Sequence, residues 1–389
     1  MKKSKAKIVK QLKKEIEILK DKKGFIRAGL PRFNRLFGRD SLIVSWQLLG
    51  IKPEICKNTL AVLSKLQGKK FNKTKEEEPG KIIHEMDFQK PYHFETKLPY
   101  PYYGSVDSTP LFLILFAFYF KKTKDKIFLK KYWKNILAAL NWIINYGDKD
   151  NDLFIEYKKK SKIGLFHQGW KDGFSDHLGI SPPVAIVEAQ GYKYLALIEI
   201  AKLAKIFNDR ILSNSLINKA ESLKKEFNKK FWMKNKKYYC LALDDKKRQK
   251  KSITSNPGHL LFTGIIEKNK EKFLVKKLFQ KELWTSFGIR THSMKEPDFE
   301  PQSYHLGSIW PHDNWIIAQG LKKLGYKREY KKIKKALFQA YLEIGFLPEF
   351  YEVINNRIIL SLKKVSCYPQ AWATGALLNF LNSRLNILP

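Results

Sequence analysis

Asp107-Ser108-Thr109-Pro110 leads directly into Leu111-Phe112-Leu113-Ile114-Leu115-Phe116-Ala117-Phe118-Tyr119-Phe120, the longest apolar run in the chain. The first four residues suit a helix start, with Asp107 and Ser108 as cap candidates and Pro110 in the first turn. The run that follows is too short to cross a bilayer, so it predicts a helix buried in a core.

Helical periodicity continues on both sides of it. Helices are predicted over Ile8–Leu19, Ser41–Gly50, Pro53–Leu66, Asp125–Tyr146, Pro183–Phe207, Ile211–Phe231, Lys268–Gln280, Ser308–Leu324, Lys327–Ile344 and Pro369–Leu385. Between them lie long aromatic segments, Asn72–Asp107, Asp148–Pro182, Trp284–Gly307 and Gly345–Tyr368. Loops of this length in a compact chain are functional or disordered, and these carry too many aromatics and motifs for disorder. Short strand pairs are expected within Tyr238–Leu243 and Tyr351–Leu360. Paired helices with alternating short and long connections imply an all-α fold, an α/α toroid with its long loops gathered at one rim. No fixed repeat of a solenoid is visible. Residues 24–389 are read as one catalytic domain and residues 1–23 as a basic helix or linker.

The 389 residues are 44% hydrophobic and 14% aromatic. That is enough for a large core, and the aromatics suit both core packing and the stacking of sugar rings. The net charge of +37 comes from 74 Lys and Arg against 37 Asp and Glu. Its Lys residues are spread over nearly every helix with no nucleic-acid motif, so a solvated basic surface is expected and no specific nucleic-acid partner. Three cysteines, Cys56, Cys240 and Cys367, fit neither a metal motif nor a disulfide framework. Met1–Lys20 has no apolar stretch of the secretory kind. The expectation is a cytoplasmic protein with no membrane association, no metal and no cofactor.

The long loops hold the candidate chemistry. Gln168-Gly169-Trp170-Lys171-Asp172 sets a carboxyl beside a Trp taken to be exposed, with Asp176 as a rival acid and an Asp-Gly turn as the bland alternative. Leu347-Pro348-Glu349-Phe350 follows the helix stop at Gly345 and offers a second carboxyl, with Glu343 and Glu352 as rivals. Arg39-Asp40-Ser41 is either a cap or a grip on sugar hydroxyls. Asp107 is open between cap and site. Trp310-Pro311-His312-Asp313-Asn314 and Gln370-Ala371-Trp372 open helices and supply further rim candidates. A G-x-S-x-G elbow, a G-x-G-x-x-G turn and a P-loop are all absent from the sequence.

Taken in order, these motifs resemble the amylo-α-1,6-glucosidase domain of glycogen debranching enzymes. The resemblance rests on Phe37-Gly38-Arg39-Asp40-Ser41-Leu42-Ile43, Tyr103-Gly104-Ser105-Val106-Asp107-Ser108-Thr109-Pro110, Gln168–Asp172, Glu188-Ala189-Gln190-Gly191-Tyr192, Ser255-Asn256-Pro257-Gly258-His259-Leu260, Trp310–Asn314 and Gln370–Trp372. It implies an (α/α)6 barrel and inverting, metal-free hydrolysis of α-glucosidic bonds in glycogen- or starch-derived oligosaccharides. By the same resemblance Asp172 is the general acid and Glu349 the general base. Arg39, Asp40, Trp170, Lys171, Trp310, His312 and Asp313 are then sugar-subsite residues, joined as contacts by Asp107, Gln370 and Trp372. An inverting pair is expected about 6.5–9.5 Å apart, which leaves room for water. Gly173 stands where such domains usually have Ser, and Phe350 follows Glu349 where they have Leu then Phe. Their N-terminal β-rich domain has no counterpart, so a separate partner supplying it is one expectation. A same-fold hydrolase of a trehalose-like or mannosylglycerate-like sugar is the alternative enzyme, and a sugar-binding protein without catalysis is the non-enzyme.

Overall fold

The computed structural model describes residues 5–93, 95–360 and 366–382. Twelve α-helices dominate these residues: α1 (Lys5–Leu19), α2 (Gly38–Leu48), α3 (Pro53–Lys65), α4 (Ser108–Thr123), α5 (Lys126–Lys131), α6 (Trp133–Asn141), α7 (Val187–Ile206), α8 (Arg210–Lys230), α9 (Lys268–Leu278), α10 (Pro311–Lys323), α11 (Lys327–Ile344) and α12 (Ala371–Leu381). A 3₁₀ segment, Asn256–Phe262, takes the place of a further helix.

Six of these segments close an inner ring. α2 packs on α4, α4 on α7, α7 on the 3₁₀ segment, that segment on α10, α10 on α12, and α12 back on α2. Each inner segment has an outer partner: α1 against α12, α3 against α2, α6 against α4, α8 against α7, α9 against the 3₁₀ segment and α11 against α10. This is the (α/α)6 toroid. Composition sorts the two layers. Every residue of α2 and of the 3₁₀ segment is buried, and α4 is buried from Ser108 through Tyr119. A helix apolar on all sides needs neighbours on all sides. The outer helices α8 and α11 bury one stripe and turn their lysines to water.

α1 is the outer helix that closes the ring at the chain's two ends. Ile8, Leu12, Ile16 and Leu19 are at most 1% exposed, and buried Glu15 accepts from Thr374 Oγ1 at 2.8 Å and Tyr368 Oη at 2.8 Å.

Three sequence expectations change. The predicted helix Asp125–Tyr146 is three pieces, because Asp125 caps α5 through Phe128 N, the chain turns at Tyr132, and Trp142–Tyr146 widens into a π-turn. α2 starts at Gly38, earlier than Ser41, so Asp40 sits inside its first turn and caps nothing. Gly38 is required there, since an added Cβ would lie 2.1 Å from the Ile83 carbonyl oxygen. The strand pair expected within Tyr238–Leu243 also fails: Tyr238–Tyr239 pairs with Trp232–Met233, and Ala242–Leu243 pairs with Ala185–Ile186 and Gln249–Lys250. The hairpin within Tyr351–Leu360 is present as Glu352–Ile354 against Arg357–Ile359. The last predicted residues of the C-terminal helix, 383–385, lie outside the described residues.

The long connections all run from an outer helix to the start of the next inner segment. They are stitched together by short antiparallel contacts, such as Leu36–Phe37 with Glu85–Met86 and Ile309 with Tyr351. The starts of the inner helices therefore carry the rim.

Candidate active site

A pocket of about 350 Å³ opens at that rim, lined by Phe33, Phe37, Arg39, Asp40, Trp170, Asp172, Tyr304, Trp310, Glu349 and Trp372. Arg39 and Asp40 come from the first turn of α2, Trp310 from the start of α10 and Trp372 from the start of α12. Asp172, Tyr304 and Glu349 come from three different long connections.

Arg39 organises one side. Its Nε donates to Asp107 Oδ2 at 2.7 Å, Nη1 to Asp172 Oδ2 at 2.9 Å and Nη2 to the Gly169 carbonyl at 2.8 Å. Three of its five N–H donors are thus committed to the protein. Burial works against its charge, and the flanking Asp107 and Asp172 carboxylates hold the charge in place. Asp107 also accepts from Ser105 Oγ at 2.7 Å and makes no cap bond to α4. The acid-bearing loop is closed on itself, with Phe166 N donating to Gly173 O at 2.7 Å and Val106 N to Gln168 O at 2.9 Å.

Glu349 is held differently. Tyr304 Oη donates to its Oε1 at 2.6 Å, Cys367 N donates to its Oε2 at 3.2 Å, and its own amide donates to Cys367 O at 3.0 Å. Both side-chain contacts are donors, so they suit an ionised carboxylate.

Arg39 acts on two of the three pocket carboxyls, Asp40 and Asp172, while the arginine acting on Glu349 is Arg32. Burial raises Asp40 to about 8, with Asp172 and Glu349 adding to the rise. Burial also raises Glu349 to about 7 against the pull of the Tyr304 hydrogen bond. Asp172 is raised by burial, with Arg39 opposing. Like charges this close do not all ionise together, and their protons come off as a coupled set. Asp40 holds its proton to a higher pH than Glu349, and at Asp172 burial outweighs the pull of Arg39.

Seven predicted site residues line the pocket: Arg39, Asp40, Trp170, Asp172, Trp310, Glu349 and Trp372. The other five, Asp107, Lys171, His312, Asp313 and Gln370, are behind the wall. Lys171 Nζ donates to Thr291 O at 2.7 Å, and burial lowers it to about 8. Asp313 Oδ1 meets His259 Nε2 at 2.7 Å, and His259 Nδ1 meets Tyr192 Oη at 2.7 Å. His312 lies flat on Trp372, ring centroids 3.7 Å apart. Gln370 Oε1 caps α12 through Trp372 N at 2.9 Å, while its Nε2 reaches Asp40 Oδ1 at 3.5 Å. Trp170, expected to be exposed, is 3% exposed. It packs between His259, His305, Trp310 and His312. The indole N–H groups of Trp170 and Trp372 are buried with no partner among the described residues, so they suit a ligand's oxygen. The rival acid Asp176 is tied to His167 Nε2 at 2.8 Å.

The sequence reading missed Tyr304, Phe33 and Phe37 on the wall and Glu188 in the buried layer, where burial raises Glu188 to about 7. Glu188 stands in the quoted motif Glu188–Tyr192, so its signal was available; Tyr304 sits in a loop with no local mark. Two acidic groups, His292 with Glu296 and Asp298, and Asp148 with Asp150 and Asp152, have ligand atoms close enough for a cation, and neither lines the pocket. Lys247 Nζ already fills the second, 2.7 Å from both Asp150 Oδ2 and Asp152 Oδ2.

A ring of six hairpins with carboxyls gathered at its rim is an arrangement suited to cleaving a glycosidic bond. Residues 105–355 match the family of mannosylglycerate hydrolase MGH1-like glycoside hydrolase domains, and the chain belongs to that family. Among curated relatives, the mannosylglycerate hydrolases MGH1 and MGH2 of Selaginella moellendorffii are each 25% identical over 91 residues, 23% of this chain and 18% of theirs. The aligned part thus spans less than one fifth of those relatives' length. Among solved structures, a GH63 mannosylglycerate hydrolase from Thermus thermophilus in complex with Tris superposes with a TM-score of 0.75 at 13% identity, over 96% of this chain and 99% of that one. An uncharacterized conserved protein from the same organism gives 0.76 at 14% identity, over 96% and 100%. The same hydrolase with Tris and D-glycerate gives 0.72 at 13% identity, over 96% and 99%. The family match makes this a glycoside hydrolase domain, the solved structures share its (α/α)6 fold, and neither singles out the debranching domain. Among the described residues no helix is long and apolar enough to cross a membrane.

Proposed function

We propose that the chain is an inverting hydrolase of a small α-glycoside, with mannosylglycerate as the favoured substrate. The carrying observation is that Asp172 and Glu349, from separate loops inside the family's matched span, line one pocket at the rim. The match to a family named for mannosylglycerate hydrolase favours a small glycoside over a polysaccharide chain.

In this reading Asp172 protonates the glycosidic oxygen and Glu349 takes a proton from the water that attacks the anomeric carbon from the other face. Asp172 must enter protonated, and the covering of the pocket by substrate favours that by removing water from a carboxyl still partly exposed at the rim. Arg39 orients Asp172. Trp170, Trp310 and Trp372 supply flat apolar faces for the ring, and Asp40 suits its hydroxyls.

One observation favours a second substrate. The ordered motifs from Phe37 to Trp372 resemble an amylo-α-1,6-glucosidase domain, which points to α-1,6 or α-1,4 glucosidic bonds. Hexose release from mannosylglycerate, panose, isomaltose and maltose, measured side by side, separates the two. Mannosylglycerate is expected to give the highest kcat/KM. A larger value for panose or isomaltose sinks the first reading.

A further inference from the structure

We propose that Tyr304 is the positioning residue of Glu349, holding its carboxylate in one plane and keeping it ready to accept a proton from water. This rests on the reading of Glu349 as the base. The phenol is 2.6 Å from Oε1, and the Cys367 amide engages Oε2 at 3.2 Å from the other side. Two donors on two oxygens fix the orientation of the group, while each oxygen keeps a lone pair for water or substrate.

Tyr304 itself has little freedom. Its ring meets Trp310 edge-on at 4.8 Å and Phe350 at 5.0 Å. Its carbonyl accepts from Ser308 Oγ at 2.7 Å and Trp310 Nε1 at 2.9 Å. The same segment that frames the Trp310 wall therefore aims the phenol.

The need for such a donor follows from what surrounds Glu349. Asp172 has a guanidinium at hydrogen-bond distance, whereas the side-chain contact at Glu349 is a neutral hydroxyl. The charged and titratable groups facing Glu349 are Tyr304, Asp172 from the acid-bearing loop, Asp40 from α2, Arg32 from the segment before α2, and Cys367. Burial pushes the carboxyl toward the protonated form, and the Tyr304 hydrogen bond is the foremost influence in the opposite direction. A base that keeps its proton cannot activate water.

The test uses the full chain labelled with ¹³C at the glutamate carboxyl, with the Glu349 signal identified by its loss in Glu349→Gln. Tyr304→Phe keeps the ring contacts and removes one oxygen. Its Glu349 titration midpoint is expected to rise by about one pH unit, because a hydrogen bond to the charged form has been lost. With mannosylglycerate as substrate, kcat is expected to fall about 10–100-fold with KM changed less than about threefold, and the acidic limb to move up with the midpoint. Lost turnover in Glu349→Gln together with an unmoved midpoint and wild-type kcat in Tyr304→Phe overturns the role of Tyr304 alone. Retained turnover in Glu349→Gln overturns Glu349 as the base, and the proposal with it.

Discussion

The two sides of the pocket hold their carboxyls by different physics. On one side Asp172 is locked by charge: Arg39 ties it to Asp107 and to the Gly169 carbonyl. On the other side Glu349 is locked by neutral dipoles, a phenol and a backbone amide, inside an aromatic cage of Tyr304, Trp310 and Phe350. A charged lock tolerates motion poorly, because losing one partner strands a buried charge. A dipolar lock is weaker and depends on shape. Substitutions on the two sides therefore fail in different ways.

The largest effects erase the comparison by removing either carboxyl. Asp172→Asn and Glu349→Gln are each expected to lower kcat by about 10²–10⁴-fold, the usual worth of positioned acid or base catalysis. Both are isosteric, but Asp172→Asn also takes one carboxylate from buried Arg39, so its melting temperature should fall further than that of Glu349→Gln. Full activity in Asp172→Asn would move the acid role to another carboxyl, and Asp40 is the remaining one on the wall besides Glu349.

Next comes the charged lock itself. Arg39→Met leaves Asp107, which is 1% exposed, facing an apolar chain. Breaking a buried ion pair from one side costs about 3–5 kcal/mol. The expected result is a large drop in denaturation midpoint together with loss of activity. Tyr304→Phe on the other side should cost only about 1 kcal/mol. Equal losses in urea titrations would mean that the two locks do not differ.

This asymmetry explains which parts of the site were legible in the sequence. The inner ring announces itself, because a segment such as Leu111–Phe120 has no polar face and must be enclosed. The starts of the inner helices carry Arg39, Asp40, Asp107, His312, Gln370 and Trp372, so motif density marked the rim. Local sequence could not sort those residues by layer. Arg39 and Asp107 look like sugar grips until the Asp107–Arg39–Asp172 chain is seen to join positions far apart in the sequence. Trp170 looks exposed among polar neighbours and is buried, because His259, Trp310 and His312 arrive from other helices. Tyr304 has no local mark at all: its role depends on a contact with Glu349 made through the fold. Asp125–Tyr146 keeps helical spacing throughout, and its breaks at Tyr132 and Trp142 answer to packing rather than to any helix-breaking residue.

A smaller effect comes from titration. Asp40 and Glu349 are raised by burial to about 8 and about 7, above their ordinary ranges. A group with a raised folded pKa binds its proton more tightly in the folded state. Its contribution is complete below the unfolded pKa and is lost as pH rises through the folded value. Stability should thus decline between about pH 4 and 8, by up to about 1.4 kcal/mol per pH unit for each proton involved. Asp40→Asn should flatten that decline, most clearly toward pH 8. Glu78 runs the other way, because Lys81, Lys149 and Lys160 outweigh its burial and hold it at about 2, so its contribution is lost in acid between about pH 4.5 and 2. A thermal-melt series across this range tests both signs, and a profile of Asp40→Asn parallel to the parent's would remove Asp40 from the explanation.

The smallest expected effect sharpens the comparison at the edge of the charged side. Gly173 follows Asp172, and its backbone does not need glycine's freedom, since its φ lies outside the left-handed region. What a side chain there would meet is His177, whose ring is 2.9 Å from the Cβ position. His177 in turn contacts His305 at 3.3 Å, and His305 packs on Trp170 and Trp310. Gly173→Ser therefore pushes on an imidazole at the rim without touching Arg39. Stability should change by less than about 1 kcal/mol, since the half-buried ring can turn aside. KM should move more than kcat, because the displaced ring borders the sugar wall and not the carboxyls. A fall in kcat at constant KM would show instead that the acid-bearing loop had shifted, and that the Arg39 lock alone does not fix Asp172.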